Sequence, residues 1–258
     1  MQLIVNADDF GYSPGQNFGI IDAFENGIVR STTLLANAPA ALQALELAKP
    51  RPELGIGIHL VIDMGKPLSP PNTVPSLINK DGSFRKPPFN TTLDFDIKEV
   101  EREWRAQIMF LIDRGFTPTH LDGHHHFHYH PQLLPISCKL AREFQLPIRS
   151  VPPQYDRGPY TEVYSAELPT VKHPDYCLTD FYDTGVSEEY FLNFFTNYPQ
   201  LKDKTVEIMS HAAWLDDVIL TGSSYNLPRV KELQVLKSPA VREWVQQNQV
   251  ELINFSHL

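Results

Sequence analysis

Thr-His-Leu-Asp-Gly-His-His-His-Phe-His-Tyr-His-Pro, residues 119–131, concentrates five of the ten histidines of the chain between His124 and His130. Thr119 to Asp122 alternates polar and apolar residues, as a half-buried strand does. Pro131 suits the first turn of a helix that carries Leu133, Leu134, Cys138, Leu140 and Ala141. A strand that runs into a polar cluster and on into a helix is the repeating unit of an α/β protein. Imidazole is the commonest protein metal ligand and the usual proton carrier near neutral pH, so the cluster is a candidate site. Continued alternation through Leu121, Asp122, Gly123 and His124 predicts His124 and His126 on one face and His125 on the other. It leaves open which one binds.

The same unit recurs to either side. Leu3-Ile-Val-Asn-Ala reads as a buried strand ending in Asp8 and Asp9, followed by a helical period at Phe18, Ile21 and Ile28 near Gly27. Thr32 to Ala36 is a second strand, and Ala38 to Ala48 is rich in strong helix formers. Gly55 to Val61 is a third strand, ending near His59. Residues 63–92 carry prolines at 67, 70, 71, 75, 87 and 88 and read as a long loop over the site. Ile97, Val100, Trp104, Ile108 and Leu111 predict an amphipathic helix stopped by Gly115. Beyond the histidines, Pro147 to Val151 is strand-like, and a second irregular segment covers residues 152–175. Cys177 to Tyr182 is a strand, followed by a helix through Tyr190, Phe191 and Phe194. Thr205 to Met209 is another strand, ending at Ser210 and His211. Helices at Leu227 to Leu236 and Pro239 to Gln247 precede a last strand, Glu251 to Phe255. About eight strands alternating with helices predict a parallel sheet and a single α/β domain over 1–258. The expected form is a TIM-barrel-like (β/α) barrel, irregular or incompletely closed. A doubly wound open sheet is the alternative, weakened by the lack of a GxGxxG after the first strand.

Composition narrows the function. A hydrophobic fraction of 42% over 258 residues supports a sizeable core. The net charge of -9, with no basic stripe, argues against a nucleic-acid partner. Two cysteines, Cys138 and Cys177, are too few for a disulfide framework. The first residues lack the basic start and apolar run of a signal peptide, and no window reaches membrane-spanning length. Cytoplasm is the expected compartment, no membrane partner is expected, and a homodimer is the expected assembly.

Asp8 and Asp9, His59, Asp122 with His124 to His126, and His211 all follow strands, and barrel active sites lie where the carboxyl ends of strands converge. One carboxylate and two imidazoles make a facial ligand set for a hydrolytic divalent metal, with positions left for water and substrate. Adjacent strand residues point to different sides, so one aspartate can ligate while the other, with an ordinary carboxylate pKa, takes a proton from water. Asp122 suits the orienting of a ligand histidine. His120, His130, His173 and His257 read as structural or solvated. Tyr12, Tyr155, Tyr160 and Trp214 are candidates for stacking on a ring substrate.

Asn-Ala-Asp-Asp-Phe-Gly at 6–11, Gly-Ile-His-Leu at 57–60, Met-Gly-Lys-Pro-Leu at 64–68, Thr-His-Leu-Asp-Gly-His-His-His at 119–126 and Glu-Ile-Met-Ser-His at 207–211 resemble the YdjC family of carbohydrate deacetylases, nearest its chito-oligosaccharide deacetylases. The resemblance implies a deformed (β/α) barrel related to the polysaccharide deacetylases. It implies a divalent metal, magnesium first and zinc second, and removal of acetyl from N-acetylglucosamine units of short chitin fragments. It makes Asp9, His59 and His124 the metal ligands, Asp8 the base and His211 the acid. Gly123 stands where relatives carry serine, and Ser210-His211-Ala212 where Cys-His-Pro occurs. Two other readings remain: a metal-dependent sugar isomerase or phosphoester hydrolase on the same barrel, and a metal-binding protein without catalysis, motivated by histidine density alone.

Overall fold

The computed structural model describes residues 1–156 and 160–258. Its organising element is β1 (Gln2–Phe10), buried from Leu3 to Phe10. Leu3, Ile4 and Val5 have no polar face because helices and neighbouring strands cover both sides, as a central parallel strand requires. β1 pairs in parallel with β2 (Ser31–Leu34) and β6 (Thr205–Ser210). The sheet continues outward through β3 (Gly55–Leu60) to β4 (Leu121–Gly123) on one side and to β5 (Tyr176–Leu178) on the other, in the order β4-β3-β2-β1-β6-β5. β7 (Glu251–Leu252) pairs with Gln2 and Leu3, on the edge of β1 that β2 occupies further along. The result is a curled, all-parallel half-barrel with helices on its outside, an irregular (β/α) barrel as expected.

The helices form where caps and apolar stripes coincide. α1 (Pro14–Asn26) starts with Ser13, whose hydroxyl accepts the Gln16 N–H at 3.1 Å, and with proline in its first turn. α2 (Ala41–Ala48) follows β2. α3 (Ile97–Ile112) is capped by Asp96 and buries Val100, Trp104, Ile108 and Leu111 of the predicted stripe, while Ile97 at its first position is exposed. α4 (Leu134–Phe144), α5 (Thr161–Glu167), α6 (Glu188–Leu192), α7 (Phe194–Asn197), α8 (Asp217–Gly222), α9 (Leu227–Lys237) and α10 (Pro239–Gln247) complete the outer layer. α1 lies against the residues after β6 so closely that a Cβ on Gly19 would sit 2.3 Å from the Ala213 Cα.

Several sequence expectations are corrected. Pro147 to Val151 is not a strand of its own; it touches the sheet through one bridge, Leu121 to Ile148. β7 has only two residues, because the chain turns into a 3-10 turn at Phe255–His257. α4 begins at Leu134, so Pro135, not Pro131, occupies its first turn. Phe18 is 49% exposed rather than in the core. Residues 63–92 are not structureless: 3-10 turns at Pro71–Thr73 and Pro75–Leu77 and an Ile78–Phe84 bridge order them. Glu103 of α3 anchors this segment by accepting the N–H groups of Leu68 and Ser69 at 3.0 and 2.8 Å. The 152–175 segment contains α5 and a 3-10 turn at Leu168–Thr170; its residues 157–159 lie outside the described ones.

Candidate active site

The carboxyl ends of β1, β3, β4 and β6 open into one cleft of about 680 Å³, lined by Asp8, Asp9, His59, His124, His125, His126 and His211. All five residues assigned from the sequence, Asp8, Asp9, His59, His124 and His211, are therefore together, although more than two hundred positions separate the first from the last. The two aspartates do not diverge as strand alternation predicts. Asp9 adopts a left-handed backbone conformation with φ 67°, and the pairing of β1 with β2 shifts between Ala7 and Phe10. This bulge turns both carboxylates toward the cleft, a local strain of the kind that accumulates at functional sites.

His59 Nδ1 donates to Asp122 Oδ1 at 2.7 Å, which leaves Nε2 facing Asp9 Oδ1 at 3.5 Å. His124 Nδ1 lies 3.3 Å from the same oxygen. Asp9 Oδ1 is buried without a hydrogen-bond partner among the described residues, whereas Oδ2 accepts from Arg229 at 2.9 Å. An orphaned carboxylate oxygen ringed by two imidazole nitrogens is a donor set that fits a divalent cation, and Asp9, His59 and His124 have ligand atoms within 4.8 Å of one another. Asp122 supplies the orienting carboxylate expected of it and is itself held by the Thr33 hydroxyl at 3.0 Å. Asp8, His59 and Asp122 are also close, but the oxygens of Asp8 are taken by other partners.

Those partners were not foreseen. Arg149, fully buried, donates to Asp8 through Nη1 at 2.8 Å and Nη2 at 2.7 Å, and its Nε donates to Glu207 at 2.7 Å. Nη2 also lies 3.0 Å from Asp122 Oδ2. Burial alone would raise the Asp8 pKa; the charge and hydrogen bonds of Arg149 override it and hold Asp8 well below the usual carboxylate range. Asp8 is thus not an aspartate of ordinary acidity. Glu207, with a single arginine bond, is pushed up to about 7 by burial. The available signal was a charged residue inside an apolar run, Pro-Ile-Arg-Ser-Val and Thr-Val-Glu-Ile-Met.

After Gly123 the chain leaves the sheet as a 3-10 segment, His124–Tyr129, with His125 and His126 at φ 45° and 66°. The alternation argument for the triplet fails there, because it assumes an extended backbone. His124 faces Asp9. His125 is paired with Asp63 at 2.5 Å, and His126 stacks on Tyr129 at 5.2 Å. His120 is structural, stacked on Phe255 at 3.6 Å. Of the proposed stacking residues, Tyr12 and Tyr155 line the cleft and Tyr160 and Trp214 do not; Tyr182 and Tyr225 do instead, stacked on each other at 4.0 Å. His211, after β6, has its backbone N–H bound by Glu232 of α9, which also accepts the Tyr225 hydroxyl. Burial lowers the His211 pKa to about 4 and raises that of Glu232 to about 8.

Fold and site together define an α/β half-barrel protein with a carboxylate–imidazole centre suited to a metal, in a cleft that Asp8 and His211 also line. The chain belongs to the YdjC-like protein family, whose profile matches residues 2–247. It is 41% identical to a carbohydrate deacetylase of Geobacillus stearothermophilus over 252 residues, 98% of this chain and 96% of that one. It is 39% identical to a carbohydrate deacetylase of Brevibacillus brevis over the full length of both. A crystal structure from Enterococcus faecalis V583, described as a candidate cellobiose-phosphate cleavage protein, superposes with a TM-score of 0.88 at 35% identity, covering 99% of this chain and 98% of that one.

Proposed function

We propose that this chain is a metal-dependent carbohydrate deacetylase that removes the N-acetyl group of N-acetylglucosamine units in short chito-oligosaccharides, with magnesium as its ion and the cytoplasm as its place of work. The class, a hydrolase of acetyl groups on sugars, is that of its full-length relatives. The observation that carries the metal reading is the buried, partnerless Asp9 Oδ1 between the nitrogens of His59 and His124.

Asp9, His59 and His124 would hold the ion, and a divalent cation there would supply positive charge to polarise the acetyl carbonyl and acidify the attacking water. Asp8 takes the proton from that water. Its carboxylate is fixed by Arg149 from one side and by the Asn6 amide at 2.8 Å from the other, so it meets the nucleophile in one orientation. A carboxyl group held this acidic does not retain the proton. His211, neutral in the resting site because burial disfavours its charge, gains a proton during the reaction and gives it to the departing amine. Tyr12, Tyr155 and Tyr182 offer faces for the sugar ring, and a cleft of about 680 Å³ lies in the range of small-ligand sites.

The test is acetate release from N,N'-diacetylchitobiose by metal-stripped protein before and after addition of magnesium or zinc. Metal-dependent acetate supports the reading. A folded, metal-loaded protein that releases none overturns it. The phosphorylated disaccharide in the description of the Enterococcus structure makes phosphate release from a sugar phosphate the readout for the phosphoester alternative.

A further inference from the structure

The ring of His211 is 14% exposed, at the cleft, yet its Nδ1 is buried and has no hydrogen-bond partner. The edge that reaches the cleft therefore carries Nε2. A buried imidazole nitrogen without a partner costs stability, and it leaves the ring free to choose either tautomer. The one carboxylate near Nδ1 among the described residues is Glu232, whose Oε1 lies 4.0 Å away. Glu232 is fully buried and already bound to the same strand end, because its other oxygen accepts the His211 backbone N–H. Its Oε1 is further fixed by the hydroxyl of Tyr225, a tyrosine stacked on Tyr182 and 5.6 Å from the His211 ring. The carboxylate is thus held on the backbone of the residue that it faces. It can move little, and a rotation of the imidazole that shifts Nδ1 by about 1 Å converts the contact into a hydrogen bond. Catalytic hydrogen bonds are commonly long in the absence of substrate and shorten when it binds.

We propose that Glu232 is the positioning residue of the acid. Its Oε1 accepts Nδ1–H of His211, which fixes the tautomer and aims Nε2 at the leaving nitrogen. The inference rests on the deacetylase reading for the identity of the leaving group. No covalent step is added; the proton that reaches the amine leaves from Nε2, while Nδ1 keeps its own.

The experiment compares wild type with Glu232→Gln, whose single amide oxygen replaces the two acceptor oxygens that hold the His211 N–H and face its Nδ1. Two substrates are used: the N-acetylated disaccharide, whose amine must be protonated to leave, and p-nitrophenyl acetate, whose phenolate leaves without a proton. For E232Q the expected result is a kcat on the amide lower by about a hundredfold, within the range of general-acid contributions, with the aryl ester changed less than about threefold and the metal content unchanged. Equal losses on both substrates would assign Glu232 a merely structural role, and an unchanged amide rate would remove it altogether. Either overturns the proposal. If wild type itself releases no acetate from the sugar, the underlying reading fails instead. Nitrogen-15 NMR of wild-type His211 provides the check that needs no variant: a proton on Nδ1 is expected, and a bare Nδ1 with a protonated Nε2 would refute the proposal even if E232Q does not fold.

Discussion

Arg149→Met removes the one guanidinium that neutralises three buried carboxylates and replaces it with a side chain of similar length. Asp8, Asp122 and Glu207 all lie within 3.0 Å of Arg149 nitrogens, and all are buried. Breaking a buried ion pair from one side typically costs about 3–5 kcal/mol, because the partner is left charged and unsolvated. Glu207, already pushed up to about 7, escapes by taking a proton. Asp8 and Asp122 do so less readily, so we expect a loss of about 4 kcal/mol near neutral pH, a large part of the stability of an ordinary domain. The sign with pH follows from linkage. In wild type the folded Asp8 titrates below its unfolded value of 3.8, so its ion pair stabilises above that pH and is lost as pH falls through the depressed value. In the variant, burial is opposed only by the more distant charges of His59 and His211, and the folded pKa rises above 3.8. Keeping Asp8 ionised then costs more as pH rises. The deficit of the variant should be largest near pH ~7.5 and shrink toward pH ~4.5. Urea unfolding followed by tryptophan fluorescence at both pH values measures it. At a slope of about 3 kcal/mol/M, the neutral-pH midpoint should drop by more than about 1 M. A loss under about 1 kcal/mol, or one that grows in acid, would refute the claim that Arg149 is the counter-charge of this site.

Asp8→Asn should leave metal binding intact, as followed by calorimetry, while acetate release falls by about a thousandfold; near-normal turnover would remove Asp8 as the base. Asp9→Ala should abolish stoichiometric metal uptake in elemental analysis and leave Arg229 without its carboxylate, whereas retained metal would dismiss Asp9 as a ligand. Gly19→Ala should cost about 2 kcal/mol or more in thermal unfolding, because its Cβ would meet backbone atoms of Ala213 and Trp214 at 2.3 and 2.5 Å. A neutral result would mean that α1 is free to move away from that loop.

The site-bearing strands β1, β3 and β6 were legible in the sequence because each runs from apolar residues into polar ones: Ala7 into Asp8, Ile58 into His59, Met209 into Ser210 and His211. That pattern survives without any knowledge of neighbours. The buried charges could not be read in the same way. Arg149 and Glu207 sit in apolar runs where the charge makes sense only beside the partner that neutralises it, and the partners come from β1, β4 and β6. Glu232 lies within α9, in a setting that any surface glutamate shares. Alternation misled where the backbone stops being extended, at Asp9 and at His125 and His126, all with positive φ. In each of these places tertiary contacts, not local preference, set the conformation.

The central position of β1 has a consequence for the birth of the protein. Gln2 to Ala7 pair with Thr205 to Ser210, and Gln2 and Leu3 also pair with β7. At about 5–20 residues per second, some 10–40 seconds of translation separate the emergence of the first strand from that of its main partner. Throughout that interval an apolar segment, already carrying both aspartates, has only β2 to lean on along one edge. Closing this loop is a late, long-range step, the kind that makes parallel sheets slow to form. Exposure to aggregation during synthesis should therefore concentrate in the first ten residues, and a fusion placed at the amino terminus would burden the slowest event in the making of this fold.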